Sequence, residues 1–429
     1  MRKYSIDQWH FYTNEEDDIL FDENPYRLSP FEAVAEIDET KQGNVFLYRA
    51  ELTQSSMMKY IKKEQIHDIS ASSVSSVSPV RSLYTGKTES EHLILAINLT
   101  LFEWRYGNVT FSKLLKCLQE QEQFYLKKKR VTLLGLGDVG SMLAIGIKLL
   151  GTEGIESLGV FDINEASKKR WEMELNQIDV NPHLRIDAID LDGLFETDVF
   201  VFCASKFVPK VGEEVRDVRM VQYDLNAELI EIYAQMARKA NFKGIFAVVS
   251  DPVDLLCNKA FYSSQRHPET LEMDYLGLLP EQVVGFGLGV MDARAKYYSD
   301  QMGLKYRQNG RVFGQHGRDL VVSDNVTTED QAQGIALTHK VVHSNLDMRA
   351  LGYKPFIAPA MSSGAISIVK MLTGQWHYSA QFLNGIYWGS SYRWLSHGMQ
   401  IETPCVSHAL LTRIEETYRS LEAIWASLS

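Results

Sequence analysis

The chain has 429 residues, of which 45% are hydrophobic and 23% are charged, and this balance excludes wholesale disorder and fibrous repeats. A formal net charge of -11 makes nucleic acid and anionic membranes unfavourable partners. The 4 cysteines are scattered without a Cys-x-x-Cys pair, so we expect no metal site. The N-terminal sequence is polar and charged, and no apolar run reaches the roughly 18 residues of a membrane helix. We therefore expect a cytoplasmic protein.

Residues 1–126 carry the weakest pattern, and we expect them to form a small α+β accessory domain. The Ser-rich stretch Asp68–Ser82 predicts a loop. In Val109–Leu126 the apolar residues recur at helical spacing, with Thr110 or Ser112 as the possible N-cap.

From Arg130 onward the pattern changes to short apolar strands, glycine turns and helices. Asp198–Ser205 and Gly244–Ser250 are near-continuous apolar runs, and the helical pattern of Ala227–Ala240 lies between them. Strands that are apolar on both sides and alternate with helices indicate a parallel sheet covered on both faces.

A glycine-rich turn follows the first of these strands and opens a helix. Its residues are Gly135, Gly137, Asp138, Val139 and Gly140. The first glycine permits a tight turn, the second lets the backbone approach a pyrophosphate, and the third allows close helix–strand packing. Asp162 ends the next strand about 20 residues on, where a carboxylate can accept both ribose hydroxyls and favours NAD over NADP. The alternative is a structural turn without a ligand.

The sequence from Arg130 to the C-terminus resembles the lactate/malate dehydrogenase family, which are NAD-dependent 2-hydroxy acid dehydrogenases. The similar segments occur in the family's order: the glycine-rich turn, Ser250–Asp254, Val283–Arg294, Gly314–Gly317 and a final amphipathic helix. The resemblance implies an α/β fold with a doubly wound Rossmann parallel sheet over 127–285. A mixed α/β catalytic domain over 286–429 should follow, with residues 1–126 as an addition.

The resemblance also implies roles for single residues. His316, in Gly-Gln-His-Gly, corresponds to the histidine that exchanges a proton with the substrate oxygen. Arg294 corresponds to the arginine that binds the substrate carboxylate. Arg219 corresponds to the loop arginine that polarises the substrate carbonyl, with Arg216 as a competing assignment.

Two further positions are implied as substrate-binding residues. Asn226 stands seven residues after Arg219, as the family's helix asparagine follows its loop arginine. Ser363 corresponds to a small hydroxyl residue that lines the pocket opposite the nicotinamide.

Three positions depart from the family's pattern. Met291 occupies the place of the aspartate that orients the histidine, and the neighbouring Asp292 should point about 100° away along the helix. Asp251 replaces an asparagine, and Arg318 stands where an aspartate is usual. We hypothesise that Asp251 has become the partner of His316.

The expected function is hydride transfer between NAD(H) and a hydroxy or oxo compound. Glu213 falls near the family's specificity position and would disfavour malate, although it can equally be an exposed loop charge. The resemblance further implies a homodimer or homotetramer.

Two other functions remain open. Leu95–Gln121 faintly resembles small winged-helix modules that bind peptides, which predicts a peptide-tailoring reductase with a peptide-borne substrate. An oligomerisation or lid domain is the simpler interpretation of the same region. A non-catalytic NAD-binding homologue is the other alternative.

Overall fold

The computed structural model describes residues 1–14, 32–34, 36–38, 41–53, 55–66, 78–85, 92–206, 218–317, 319–328 and 331–428. The residues of these segments fall into two compact units. Unit 1 comprises Met1–Lys127, Leu383–Gly385 and Arg393–Cys405, and unit 2 comprises Lys128–Phe382, Ile386–Tyr392 and Val406–Ser429. The division into three domains at 126/127 and 285/286 stays a prediction.

The strands, in chain order, are β1 (Arg2–Ile6), β2 (Trp9–Thr13), β3 (Glu32–Ala33), β4 (Asn44–Tyr48), β5 (Met58–Ile61), β6 (Ile94–Asn98), β7 (Lys129–Leu134), β8 (Ile155–Phe161), β9 (Arg185–Ala188), β10 (Val199–Phe202), β11 (Ile245–Val248), β12 (Val283–Gly285), β13 (Arg311–Gly314), β14 (Leu320–Ser323), β15 (His377–Leu383), β16 (Ile386–Leu395) and β17 (Gly398–Ile401). The α-helices are α1 (Pro79–Tyr84), α2 (Leu99–Tyr106), α3 (Phe111–Leu126), α4 (Asp138–Leu150), α5 (Glu165–Asn176), α6 (Val218–Lys239), α7 (Val253–Ser264), α8 (Leu288–Met302), α9 (Tyr306–Asn309), α10 (Gln331–Ala350), α11 (Ile366–Leu372) and α12 (His408–Ala426). A π-helical segment, Pro359–Ala365, leads into α11.

Unit 1 contains a mixed sheet with the strand order β3-β1-β2-β4-β6-β5-β17. Strand β17 comes from the C-terminal part of the chain and pairs in parallel with β5, where Met399 lies opposite Lys59. Strands β4 and β6 are buried along their whole length. They form the centre of this sheet, so unit 1 has a core of its own.

Unit 2 contains the predicted doubly wound sheet. Strands β9, β8, β7, β10, β11 and β12 lie side by side in that order, and all of them are parallel. This is the Rossmann order, in which the first strand of the domain, here β7, lies at the centre and the direction of winding reverses beside it. Every residue of β10 and β11 is buried, because helices cover both faces of the sheet. The predicted α/β fold class is confirmed.

Two local predictions in unit 1 have different outcomes. Thr110 is the N-cap of α3, and its hydroxyl accepts the backbone N–H of Lys113 at 3.2 Å. The prediction of a loop over Asp68–Ser82 is wrong for its last residues, because Pro79 opens helix α1; its other residues up to 77 lie outside the described part. Proline fits the first position of a helix because its missing N–H would have no partner there. Across the described residues, no helix is long and apolar enough to cross a membrane.

Candidate active site

The glycine-rich turn connects β7 to α4 and leaves a gap in front of the helix. Gly135 has a φ of +93°, and a Cβ there would lie 2.9 Å from the backbone of Ala204. A Cβ on Gly140 would lie 1.8 Å from the carbonyl oxygen of Gly135, so only glycine allows this approach of helix and turn. Gly137, the N-cap of α4, has open space at its Cβ position and contributes no side-chain cap. The first N–H groups of the helix are therefore available to an anion such as a pyrophosphate.

Asp162 follows β8 and lies beside this turn. One carboxylate oxygen accepts the backbone N–H of Leu136 at 2.8 Å, and the other accepts that of Asn164 at 2.9 Å. Each oxygen keeps a further lone pair, so the fixed carboxylate can still accept from hydroxyl groups. Two features of this structure thus suit a dinucleotide: an uncapped helix end and an oriented acid at the neighbouring strand end.

A histidine–aspartate pair lies at the C-terminal side of the sheet. His316 Nδ1 is 2.8 Å from Asp251 Oδ1. Since an ionised carboxylate only accepts hydrogen bonds, this contact places the ring proton on Nδ1 when the imidazole is neutral. The other ring nitrogen, Nε2, is buried and has no hydrogen-bond partner among the described residues. Such an atom is the expected acceptor or donor for a substrate oxygen.

The main chain around His316 holds the ring in place. The backbone N–H of His316 donates to the Asp254 carboxylate at 3.0 Å, and the Asp254 side chain is buried. Gly314 and Gly317 on either side have φ values of +92° and +109°, which let the chain turn sharply at the histidine. A Cβ on Gly287 would lie 2.8 Å from His316 Cβ, so the residue before α8 must be small.

Asn226 fixes the backbone beside Asp251. Its side-chain amide donates to the carbonyl oxygen of Asp251 at 2.8 Å, and its own oxygen accepts the backbone N–H of Lys206 at 3.0 Å. The side chain is buried. Asn226 therefore connects the segments that follow β10 and β11, and its amide is engaged with the protein.

Arg294 lies on α8 as a buried cation. Its guanidinium donates to Asn345 Oδ1 on α10 at 2.5 Å and lies 3.9 Å from the Met291 sulfur. Burial lowers the pKa of Arg294, while the nearby Tyr298 and Asp251 act in the opposite direction. Among the described side chains, no carboxylate accepts a hydrogen bond from it. A desolvated guanidinium with unused donors is suited to an anionic ligand.

Met291 and Asp292, the two neighbours on α8, have contacts other than His316. Met291 is buried in an apolar cluster that includes Val290 and Leu337. The Asp292 carboxylate is 2.6 Å from Lys296 Nζ and accepts the Tyr306 hydroxyl at 2.9 Å. Asp292 therefore does not replace the acid that the resemblance expects at Met291.

The remaining predicted residues differ in how much the structure describes. The Ser363 hydroxyl donates to the carbonyl oxygen of Gly287 at 2.5 Å and accepts the backbone N–H of Val290 at 2.8 Å. These two hydrogen bonds connect Ser363 to the start of α8. The backbone of Arg219 lies in the first turn of α6, and its side chain falls outside the described part. Three more residues lie outside the described segments: Glu213, Arg216 and Arg318.

Two contacts at this site have no signal in the sequence. The segment Ser250–Asp254 resembles the family's motif, but no pattern in it indicates that Asp254 accepts the backbone N–H of His316. Asn345 lies 51 residues from Arg294 in sequence and carries no motif. Only the packing of α8 against α10 brings that pair together.

Comparison with known proteins finds similarity to dehydrogenases. Residues 129–271 match the family model described as lactate/malate dehydrogenase, NAD binding domain. An L-lactate dehydrogenase from Staphylococcus saprophyticus is 28% identical over 199 residues, covering 45% of this chain and 56% of that protein. A malate dehydrogenase from Sulfurisphaera tokodaii is 26% identical over 200 residues, covering 45% of this chain and 57% of that protein. The chain thus spans a little over half the length of the curated relatives it matches.

Solved structures share the fold at lower identity. The malate dehydrogenase from Archaeoglobus fulgidus, solved in complex with NADH, has a TM-score of 0.56 and 17% identity, and the match covers 70% of this chain and 99% of that one. The minor L-lactate dehydrogenase from Enterococcus mundtii gives a TM-score of 0.57 with the same identity, 17%, and the same coverage, 70% and 99%. The match to an NAD-binding domain confirms the predicted cofactor, NAD. Over residues 129–271 the chain is therefore similar to the NAD-binding domain of the lactate/malate dehydrogenase family, as expected from the sequence.

Proposed function

We propose that this protein is an NAD(H)-dependent oxidoreductase that interconverts a 2-oxo acid and the corresponding 2-hydroxy acid. One observation carries the proposal: His316 has one ring nitrogen bound to Asp251 and the other buried without a partner among the described residues. A histidine held in this way suits proton exchange with a substrate oxygen, because its orientation and tautomer are fixed before the substrate binds.

Each residue has a defined part in the reducing direction. NADH, held at the glycine-rich turn and Asp162, would supply a hydride for the substrate's carbonyl carbon. His316 donates the Nε2 proton to the carbonyl oxygen, which becomes the hydroxyl group. The Asp251 carboxylate stabilises the imidazolium that must be present before this transfer. In the oxidising direction, His316 takes the hydroxyl proton back.

Arg294 is proposed to bind the substrate carboxylate. The Arg294 guanidinium is buried, and the charge of Asp251 acts on it. Because Asp251 pairs with His316, a substrate carboxylate bound to Arg294 would lie near His316. Arg219 is proposed to polarise the carbonyl, on the strength of the family resemblance and its place at the start of α6. Asn226 and Ser363 are proposed to hold the backbone around the pocket in position, since their polar groups form hydrogen bonds with the protein backbone.

The substrate is proposed to have a single carboxylate, so that oxaloacetate and malate are the least favoured substrates. This rests on Glu213 and the family's specificity position, and a comparison of pyruvate with oxaloacetate tests it. A homo-oligomer is proposed from the resemblance alone, and a cytoplasmic location from the sequence features given above. Light scattering coupled to size-exclusion chromatography tests the oligomer. For the N-terminal region we retain the proposal of an oligomerisation or lid domain. A variant that lacks residues 1–127 separates the effect of this region on assembly from its effect on NADH affinity.

The direct test is a screen of 2-oxo acids for NADH oxidation by the wild type and by His316→Gln. We expect turnover of a monocarboxylic 2-oxo acid by the wild type, and its loss in the variant with NADH affinity retained. NADH binding without turnover of any free 2-oxo acid would contradict the proposal and favour a peptide-borne substrate or a non-catalytic homologue.

A further inference from the structure

An ion pair joins the glycine-rich turn to a distant part of the chain. Lys354 Nζ lies 3.0 Å from Asp138 Oδ2, and 216 residues separate the two in sequence. Both side chains are about half exposed, at 53% and 49%. Asp138 is the first residue of α4 and follows the uncapped Gly137, so the pair stands at the helix end that suits a pyrophosphate.

An acid at this position has two opposing effects. A carboxylate in the first turn of a helix interacts favourably with the helix dipole. The same carboxylate repels a phosphate group bound to the same N–H groups, because the two negative charges lie well within the screening length of about 10 Å. Asp138 on its own would therefore weaken the binding of a dinucleotide, and a cation beside it would offset this repulsion.

The segment that follows Lys354 packs closely against α4, the helix that begins at the glycine-rich turn. The π-helical segment Pro359–Ala365 lies directly against α4: a Cβ on Gly146 would lie 2.4 Å from Ala365 Cβ. On the other side, a Cβ on Gly364 would lie 2.6 Å from Leu143 Cδ1. Contacts this close leave little freedom to the segment that leads into them. The backbone of that segment is therefore fixed against α4, and the Lys354 ammonium is held beside the turn by its ion pair with Asp138.

We propose that Lys354 is a cofactor-binding residue, whose ammonium binds the pyrophosphate of NAD(H) and is held ready for it by Asp138. In the free protein the ammonium is paired with the Asp138 carboxylate. In the complex it lies between that carboxylate and the phosphate oxygens, and it attracts both. The ligand class is a nucleoside diphosphate joined to a second ribose, and the inference depends on NAD binding but not on the catalytic roles proposed above.

Two variants separate this role from a purely structural one, because Lys354→Met and Asp138→Asn break the same ion pair. If the pair only supports the fold, both variants should change NADH affinity in the same direction. If the charges act on the pyrophosphate, Lys354→Met should raise the dissociation constant about fivefold, the size expected for a partly exposed charge pair. Asp138→Asn should lower it by about twofold, since a repulsive charge is removed.

The measurement is a fluorescence titration with NADH at low and at high salt, on the full chain. We expect the effect of Lys354→Met to shrink at high salt and to be absent for adenosine, which lacks phosphate groups. Lys354→Arg should keep the wild-type affinity within twofold. Lys239→Met is the matched control, because Lys239 is also an exposed lysine but lies at the C-terminal end of a helix, α6, and not at a helix N-terminus.

The inference is overturned if Lys354→Met matches Lys239→Met in NADH affinity, or if Asp138→Asn weakens binding as much as Lys354→Met. It is also overturned if adenosine and NADH lose affinity equally. These results are independent of turnover, so a chain that binds NADH by this mechanism and reduces no 2-oxo acid would refute the proposed activity alone.

Discussion

Replacing Asp251 by asparagine tests the proposed active site most sharply. The change keeps the shape of the side chain and removes its negative charge from His316 Nδ1, which lies 2.8 Å away. Two unit charges about 4 Å apart interact by about 4 kcal/mol at an effective dielectric constant of ~20. Because the Asp251 side chain is 50% exposed, solvent screening reduces this to about 2 kcal/mol.

A loss of about 2 kcal/mol from the protonated histidine corresponds to about 30-fold in rate. The amide can also turn its NH2 group toward Nδ1, which would stabilise the opposite tautomer and lower the rate further. We therefore expect kcat/KM for the best 2-oxo acid to fall at least about 30-fold. The affinity for NADH should stay within about twofold, because Asp251 lies in the loop after β11 and not in the glycine-rich turn.

The assay is steady-state NADH oxidation, with NADH affinity measured separately by fluorescence. Asp292→Asn is the matched control: it removes a carboxylate from α8 that pairs with Lys296 and Tyr306 and not with His316. We expect it to lower stability and leave kcat within about threefold. Wild-type turnover in Asp251→Asn, together with loss of activity in His316→Gln, would refute the assignment of Asp251 as the partner.

Three further predictions follow from single contacts. Asn345→Leu removes the acceptor of the Arg294 guanidinium and should raise KM for the 2-oxo acid about tenfold with a smaller change in kcat, whereas a fall in kcat alone would contradict a positioning role. Burial lowers the pKa of His377 to about 4, so between about pH 6.5 and pH 4 the unfolded chain binds a proton that the folded chain does not. The free energy of unfolding, measured by urea denaturation, should therefore fall by about 2 kcal/mol more in the wild type than in His377→Gln between pH 7 and pH 4.5, and equal losses would refute this. Gly140→Ala places a Cβ 1.8 Å from the Gly135 carbonyl oxygen and should abolish NADH binding in the same titration; near-normal affinity would contradict the tight turn.

The parts of the fold that the sequence predicts are those fixed by local patterns. The turn at Gly135–Gly140 and the acid at Asp162 depend on backbone freedom and spacing, and both are visible in the order of residues. Thr110 caps its helix through a hydroxyl three residues from the N–H it accepts. The loop prediction fails at Pro79, because proline occurs both in loops and at the first position of a helix.

Only part of the candidate site can be predicted from local sequence patterns. The loss of an acid on α8 and the gain of an acid after β11 predict the pairing of His316 with Asp251, and the two side chains are in contact. Their catalytic role stays a prediction. The contacts of Arg294 with Asn345 and of Lys354 with Asp138 join residues 51 and 216 positions apart, and they depend on how helices pack. No local pattern encodes them.

The central claim is that this chain uses bound NADH to reduce a 2-oxo acid through His316. The most direct measurement is a titration of the purified wild type with NADH, followed in the same sample by addition of monocarboxylic 2-oxo acids while NADH oxidation is recorded. We predict saturable NADH binding and oxidation that stops in His316→Gln. Saturable binding with no oxidation by any 2-oxo acid, or equal oxidation by the His316→Gln variant, would contradict the claim.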